Sequence, residues 1–153
     1  MLITEKPLFT TEIEAFCNNI PSFKGVFACD TIPTIEERPA CLVVNTDPAD
    51  KPGEHWVSIV LKDSGRALYF DALGFPPIVS QLQDYLAQHA PNGFKYNCLT
   101  LMDPENKGCG YYSSLFLNWW SRGCTLRQFQ GVFRGRTGSA LYDNDVLIND
   151  VFR

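Results

Sequence analysis

The chain has 153 residues, 45% of them apolar, and a formal charge of −4 at neutral pH. Such a length fits one domain over residues 1–153 that buries roughly 68–70% of the surface its unfolded form exposes. The acidic balance does not provide a surface built to neutralise many phosphates, so DNA is not a partner expected from charge, although Arg122, Arg127, Arg134 and Arg136 leave local contacts open.

Thr11-Glu12-Ile13-Glu14 predicts a capping box opening a first helix, with Ile13, Phe16, Cys17 and Ile20 on one apolar stripe. Gly25 to Ile32 and Ala40 to Asn45 follow as β-prone pieces punctuated by Pro33 and Pro39. Trp56–Leu61 and Ala67–Asp71 flank the Gly-containing turn Lys62–Arg66 and predict a hairpin. Pro76-Pro77 starts a helix that runs through His89, a residue expected at the surface, and Pro91-Asn92-Gly93 stops it. Lys95 to Leu101 reads as a strand. Cys109 then opens a helix whose residues 111, 112, 115, 116, 119 and 120 form a broad apolar stripe. Thr125 to Phe133 and Ala140 to Phe152 read as two further helices joined by a mobile stretch from Gly131 to Gly138. The predicted class is α+β: a mixed or antiparallel central sheet, a buried central helix starting at Cys109, and further helices around it.

Six cysteines without close spacing, and an N-terminus without a basic and apolar leader, predict reduced thiols in an intracellular protein. With two histidines and no Cys-x-x-Cys, no ordinary zinc site can be assembled, and neither metal nor cofactor is expected. No run reaches the ~18 apolar residues of a membrane span, so no membrane partner is expected either.

One thiol stands apart. Cys109 lies where a helix starts, and unpaired N–H groups there favour thiolate over thiol. If the hairpin turn is centred near Ser64, His55 and Asp71 become diagonal neighbours on one face, about 7–8 Å apart at the backbone and within reach of a hydrogen bond. An aspartate so placed fixes the imidazole tautomer and leaves the other ring nitrogen to take a proton from a thiol. Taken singly, His55 also reads as a structural strand histidine, Asp71 as a turn former and Cys109 as a small buried hydrophobe. Trp56, next to His55, is expected to shield the pair from solvent.

Gly53-Glu54-His55-Trp56, Phe70-Asp71-Ala72-Leu73-Gly74-Phe75 and Gly108-Cys109-Gly110 before an apolar helix resemble, in this order, the adenovirus maturation protease (adenain) family. That family lies within the clan of ubiquitin-like-protein proteases, and the resemblance runs from about Glu12 to Trp120. It implies a cysteine endopeptidase with His55, Asp71 and Cys109 as catalytic residues, cutting viral or virus-like-element precursor (capsid) proteins at glycine-containing sites. It further implies a place in the host cell, in nucleus or cytoplasm, and in the virion. Where the family carries an oxyanion-binding glutamine, this chain has Met102 and Asp103. The backbone N–H of Cys109 and the amide of Asn106 are the expected replacements. The resemblance also implies an activating peptide as partner, with Cys98 as the residue linked to it. Two other readings stay open: a protease of the same clan that removes ubiquitin-like modifiers, and a non-catalytic capsid-associated binding module with a decayed oxyanion hole.

Overall fold

The computed structural model describes residues 2–153. Five strands form one mixed sheet in the order β1-β2-β3-β4-β5: β1 Phe23–Ala28, β2 Ala40–Asn45, β3 Trp56–Leu61, β4 Ala67–Phe70 and β5 Phe94–Tyr96. β1 runs parallel to β2, β2 and β3 are antiparallel, β3 and β4 are antiparallel, and β4 runs parallel to β5. The helices are α1 Thr10–Cys17, α2 Ser80–His89, α3 Cys109–Ser121, α4 Leu126–Val132 and α5 Leu141–Phe152.

β2 and β3 are covered on both faces, and their side chains alternate between two cores, as the two-residue period of a strand requires. Cys41, Val43, Val60, Leu68 and Phe70 point to a core shared with α1, α3, α4 and α5. Leu42, Val44, Val57, Ile59, Leu61 and Tyr69 point the other way, where Leu82, Tyr85 and Leu86 of α2 cover them. The predicted central helix is α3, buried from Tyr112 to Leu117. Phe116 lies at its centre, stacked on Phe70 at 4.9 Å and edge-on to Phe129 at 5.4 Å. Truncating it opens a cavity the aromatic cluster cannot close, so Phe116→Ala is expected to cost about 3–5 kcal/mol, read as a lowered denaturant midpoint.

The element boundaries depart from the sequence reading where side chains compete with the ladder. α1 starts at Thr10 because the Glu12 carboxylate accepts the N–H of Phe9 at 3.0 Å, so the expected Thr11–Glu14 box is replaced by a Phe9–Glu12 contact. β1 stops at Ala28, whose N–H is donated to Thr31 Oγ1 at 3.1 Å rather than to a neighbouring strand. α2 begins only at Ser80, since Val79 is still extended (ψ 129°) after the two prolines. β5 is three residues long rather than seven because Asn97 turns its side chain onto the backbone of Asp71.

His89 is not at the surface. It is buried, stacks on Tyr85 with centroids 3.9 Å apart, and accepts the N–H of Ile35 at Nε2. Among the described residues no helix is long and apolar enough to cross a membrane.

Candidate active site

His55 immediately precedes β3 and Asp71 immediately follows β4, so the hairpin register decides whether they meet. The ladder pairs Ser58 with Phe70 and Leu61 with Ala67, which places Asp71 opposite Val57 and diagonal to His55. The side chains close that diagonal: His55 Nε2 lies 2.7 Å from Asp71 Oδ1.

Asp71 is held from three directions. Its Oδ1 also accepts the N–H of Leu73 at 2.8 Å, and Gly74 donates to its carbonyl at 2.8 Å, closing a tight turn. Gly74 has φ +79°, and a Cβ there would lie 2.7 Å from the carbonyl carbon of Leu99, so only glycine fits this turn. The third hold comes from Asn97, fully buried, whose Oδ1 accepts the N–H of Asp71 at 2.9 Å and whose Nδ2 donates to its carbonyl at 2.6 Å. In sequence, Asn97 looks like any polar residue beside a strand, and nothing local singles it out.

Cys109 is the first residue of α3, and the helix is pinned to β3 beside the histidine. Ser113, one turn along, donates to the carbonyl of Trp56 at 3.3 Å. The backbone N–H of Trp56 points at Cys109 Sγ, 3.3 Å away. Cys109 is near enough to act on the imidazole, and because Nε2 is engaged with Asp71, Nδ1 is the ring nitrogen left free. Burial alone would depress the basicity of His55. The hydrogen bonds to Asp71 and Cys109, with the charges behind them, outweigh it and raise the imidazole to about 10. Its side chain is 18% exposed, that of Asp71 6%.

The other cysteines lack this setting. Burial pushes the thiols of Cys17 and Cys41 up to about 11 and about 12, which leaves both protonated at neutral pH. Cys98 is exposed just beyond β5, in a groove with Phe94, Tyr96, Trp120 and Cys124 that shares no lining residue with the surroundings of Cys109.

A cleft of about 580 Å³ opens over Cys109, between the segment Pro7–Thr10, the end of β1 and the loop leading from β2 into β3. Trp56, expected to shield the histidine pair, lies along the wall of this cleft. Its Nε1 donates to the carbonyl of Leu8 at 3.0 Å, and its Cδ1 is so close to Gly110 that a Cβ there would meet it at 3.3 Å.

The N–H groups of Gly108, Cys109 and Gly110 have no protein acceptor among the described residues and form the positive end of α3. The expectation for Asn106 is corrected. Its Nδ2 donates to Asp145 Oδ2 at 2.9 Å and to Thr4 Oγ1 at 3.2 Å, because a buried carboxylate outcompetes the open cleft for its amide. Asp103 likewise turns inward on its own loop, accepting the N–H of Glu105 at 3.0 Å. Neither residue lines the cleft, so neither supplies a side-chain donor there, and the N–H groups at the start of α3 stay without a protein partner among the described residues. Among the described residues no group of three or more His, Cys, Asp or Glu is placed to hold a metal ion.

A protease of equine adenovirus B serotype 2 is 30% identical over an alignment covering 50% of this chain and 45% of that protein. The chain resembles an adenovirus protease. It matches less than half of that relative's length, and no family model matches it. Among solved structures, ChlaDub1 of Chlamydia trachomatis superposes with a TM-score of 0.50 at 13% identity, covering 74% of this chain and 57% of the other, a likeness of fold. The C-terminal Ulp1 protease domain, solved in complex with Smt3, the yeast ortholog of SUMO, gives 0.49 at 13% identity over 99% of this chain and 81% of that one.

Proposed function

We propose that the chain is a cysteine endopeptidase of adenain-like type. The observation that carries this reading is the pairing of Asp71 with His55, together with Cys109 Sγ seated on the N–H of Trp56, the residue after His55, at the start of α3 and over a cleft. The substrates proposed are viral or virus-like-element precursor proteins, cut at glycine-containing sites inside the infected cell, a reading that the likeness to an adenovirus protease supports.

The chemistry follows from the donors. Asp71 fixes the ring with its Nε2–H bound, so Nδ1 takes the proton of Cys109 and the pair reacts as imidazolium and thiolate. The N–H of Trp56 stabilises the charged sulfur. Sγ attacks the peptide carbonyl carbon, and the oxyanion forms at the N-terminus of α3, facing the N–H groups of Gly108 and Cys109. Imidazolium returns the proton to the leaving amine, and water, activated by the freed Nδ1, hydrolyses the thioester.

The deciding experiment is mass spectrometry of products after mixing wild type and Cys109→Ala with candidate capsid precursors and with a ubiquitin-like precursor. Cuts after glycine in the capsid precursor, absent with Cys109→Ala, are the expected result. Cuts confined to the ubiquitin-like precursor would redirect the reading to a modifier-removing protease. No Cys109-dependent cut in either would leave a binding module.

A further inference from the structure

The loop entering Cys109 is anchored on a buried carboxylate that the proposed chemistry does not use. Asn144, Asp145 and Asn149 of α5 are all buried, and each turns its polar end away from solvent onto the segments that frame the helix start. Asn149 accepts the N–H of Ile3 at 2.9 Å. Asn144 donates to the carbonyl of Leu101 at 2.9 Å. Asp145, 1% exposed, is the hub: Oδ1 accepts the hydroxyl of Tyr112 at 2.5 Å, and Oδ2 accepts the amide of Asn106 at 2.9 Å.

These two partners flank the sulfur in the chain. Tyr112 lies one turn along α3 from Cys109, and Asn106 lies three residues before it. Asn106 in turn governs the connecting peptide. Its Oδ1 accepts the N–H of Lys107 at 2.6 Å, and the same N–H is shared with the carbonyl of Thr4 at 3.1 Å. Gly108 packs so tightly on Thr4 that an added Cβ would lie 2.8 Å from the threonine Cβ. The peptide between Lys107 and Cys109, whose N–H groups lack a protein acceptor, is therefore oriented by a chain of contacts ending on Asp145.

We propose that Asp145 is a positioning residue for the oxyanion-binding peptide, acting through Asn106. In a chain without the family's glutamine, stabilisation of the oxyanion falls on backbone donors, and their direction becomes the variable that must be fixed. A carboxylate fits the task because it accepts from both Tyr112 and Asn106 at once, whereas an amide in its place presents a donor to one of them. Burial raises the Asp145 carboxyl above the ordinary range, and the hydrogen bonds from Tyr112 and Asn106 oppose that rise.

The claim rests on the proposed peptidase reading, and its test separates the two. In Asp145→Leu, no acceptor faces the amide of Asn106 and the contact is lost. Turnover of a cleavable peptide is expected to fall roughly ten- to hundredfold with KM unchanged, since a misdirected donor forfeits part of the ~10²–10³ that one oxyanion contact is worth. Alkylation of Cys109 by iodoacetamide, which forms no oxyanion, should stay within about twofold of wild type. The reciprocal double variant Asn106→Asp with Asp145→Asn restores a donor and acceptor pair with reversed polarity. Turnover should return to within about threefold of wild type, an outcome that a merely damaged fold would not produce.

Amide hydrogen exchange at Lys107 supplies a readout independent of catalysis. Its protection should drop in Asp145→Leu and recover in the double variant. Unchanged protection in the single variant, or a double variant no better than the single one, overturns the proposal. An absence of cleavage by wild type would refute the peptidase reading and leave the exchange result to decide the anchoring on its own.

Discussion

His55→Ala is expected to lower peptide turnover by roughly 10²–10⁴, the range that a positioned acid and base contributes. The same variant should alkylate Cys109 more slowly than wild type, because the proton acceptor beside the sulfur is gone. The pH dependence of wild type follows from the sign of the shift. The imidazole is raised from its ordinary value of 6.5 to about 10, so it stays protonated through neutral pH. Its stabilising effect on the fold is complete below about 6.5 and is lost as pH rises through about 10. The alkaline limb of kcat/KM should therefore fall near 10, with thermal stability declining over the same interval. A wild-type limb near 6.5 would sink the assignment of His55 as a charged partner of Asp71 and Cys109.

Much of this site was legible because its two halves depend on short-range rules. A Gly-containing turn between two β-prone segments sets the hairpin register, and the register sets which residues share a face, so His55 and Asp71 could be paired from numbering alone. Cys109 was legible because an apolar stripe at helical spacing begins directly after it. What escaped the sequence are contacts between distant segments with no periodic signature. Asn97 braces Asp71 across 26 positions, and Asp145 claims the amide of Asn106 across 39. The burial of His89 was missed for a related reason. A histidine in the last turn of a helix looks like a dipole partner, yet the Pro33–Ile35 segment closes over it and supplies partners for His89 and Tyr85. The amide of Asn106 is the instructive case: proximity in the chain suggested the cleft, and a buried carboxylate on a later helix decided otherwise.

Asp71 allows the finest dissection, since its carboxylate does two jobs. It holds the ring by accepting from Nε2, and it supplies the negative charge that helps keep the imidazole protonated. Asp71→Asn keeps the first and loses the second: the amide oxygen can still accept from the ring and from the N–H of Leu73, so the tautomer survives. Asp71→Ala loses both and leaves that N–H without its partner. The expected order of turnover is wild type, then Asn, then Ala. An aspartate-to-asparagine change costs ~10⁴ where it holds the catalytic imidazole in the wrong tautomer, so Asp71→Asn should lose less than that if Leu73 keeps the amide oxygen on the ring, and Asp71→Ala should lose more than Asp71→Asn. The alkaline limb of kcat/KM should move to lower pH in Asp71→Asn, because the charge opposing deprotonation of His55 has gone. Equal activity of the two variants, or an alkaline limb unmoved in Asp71→Asn, would show that Asp71 serves the turn between β4 and α2 and not the imidazole.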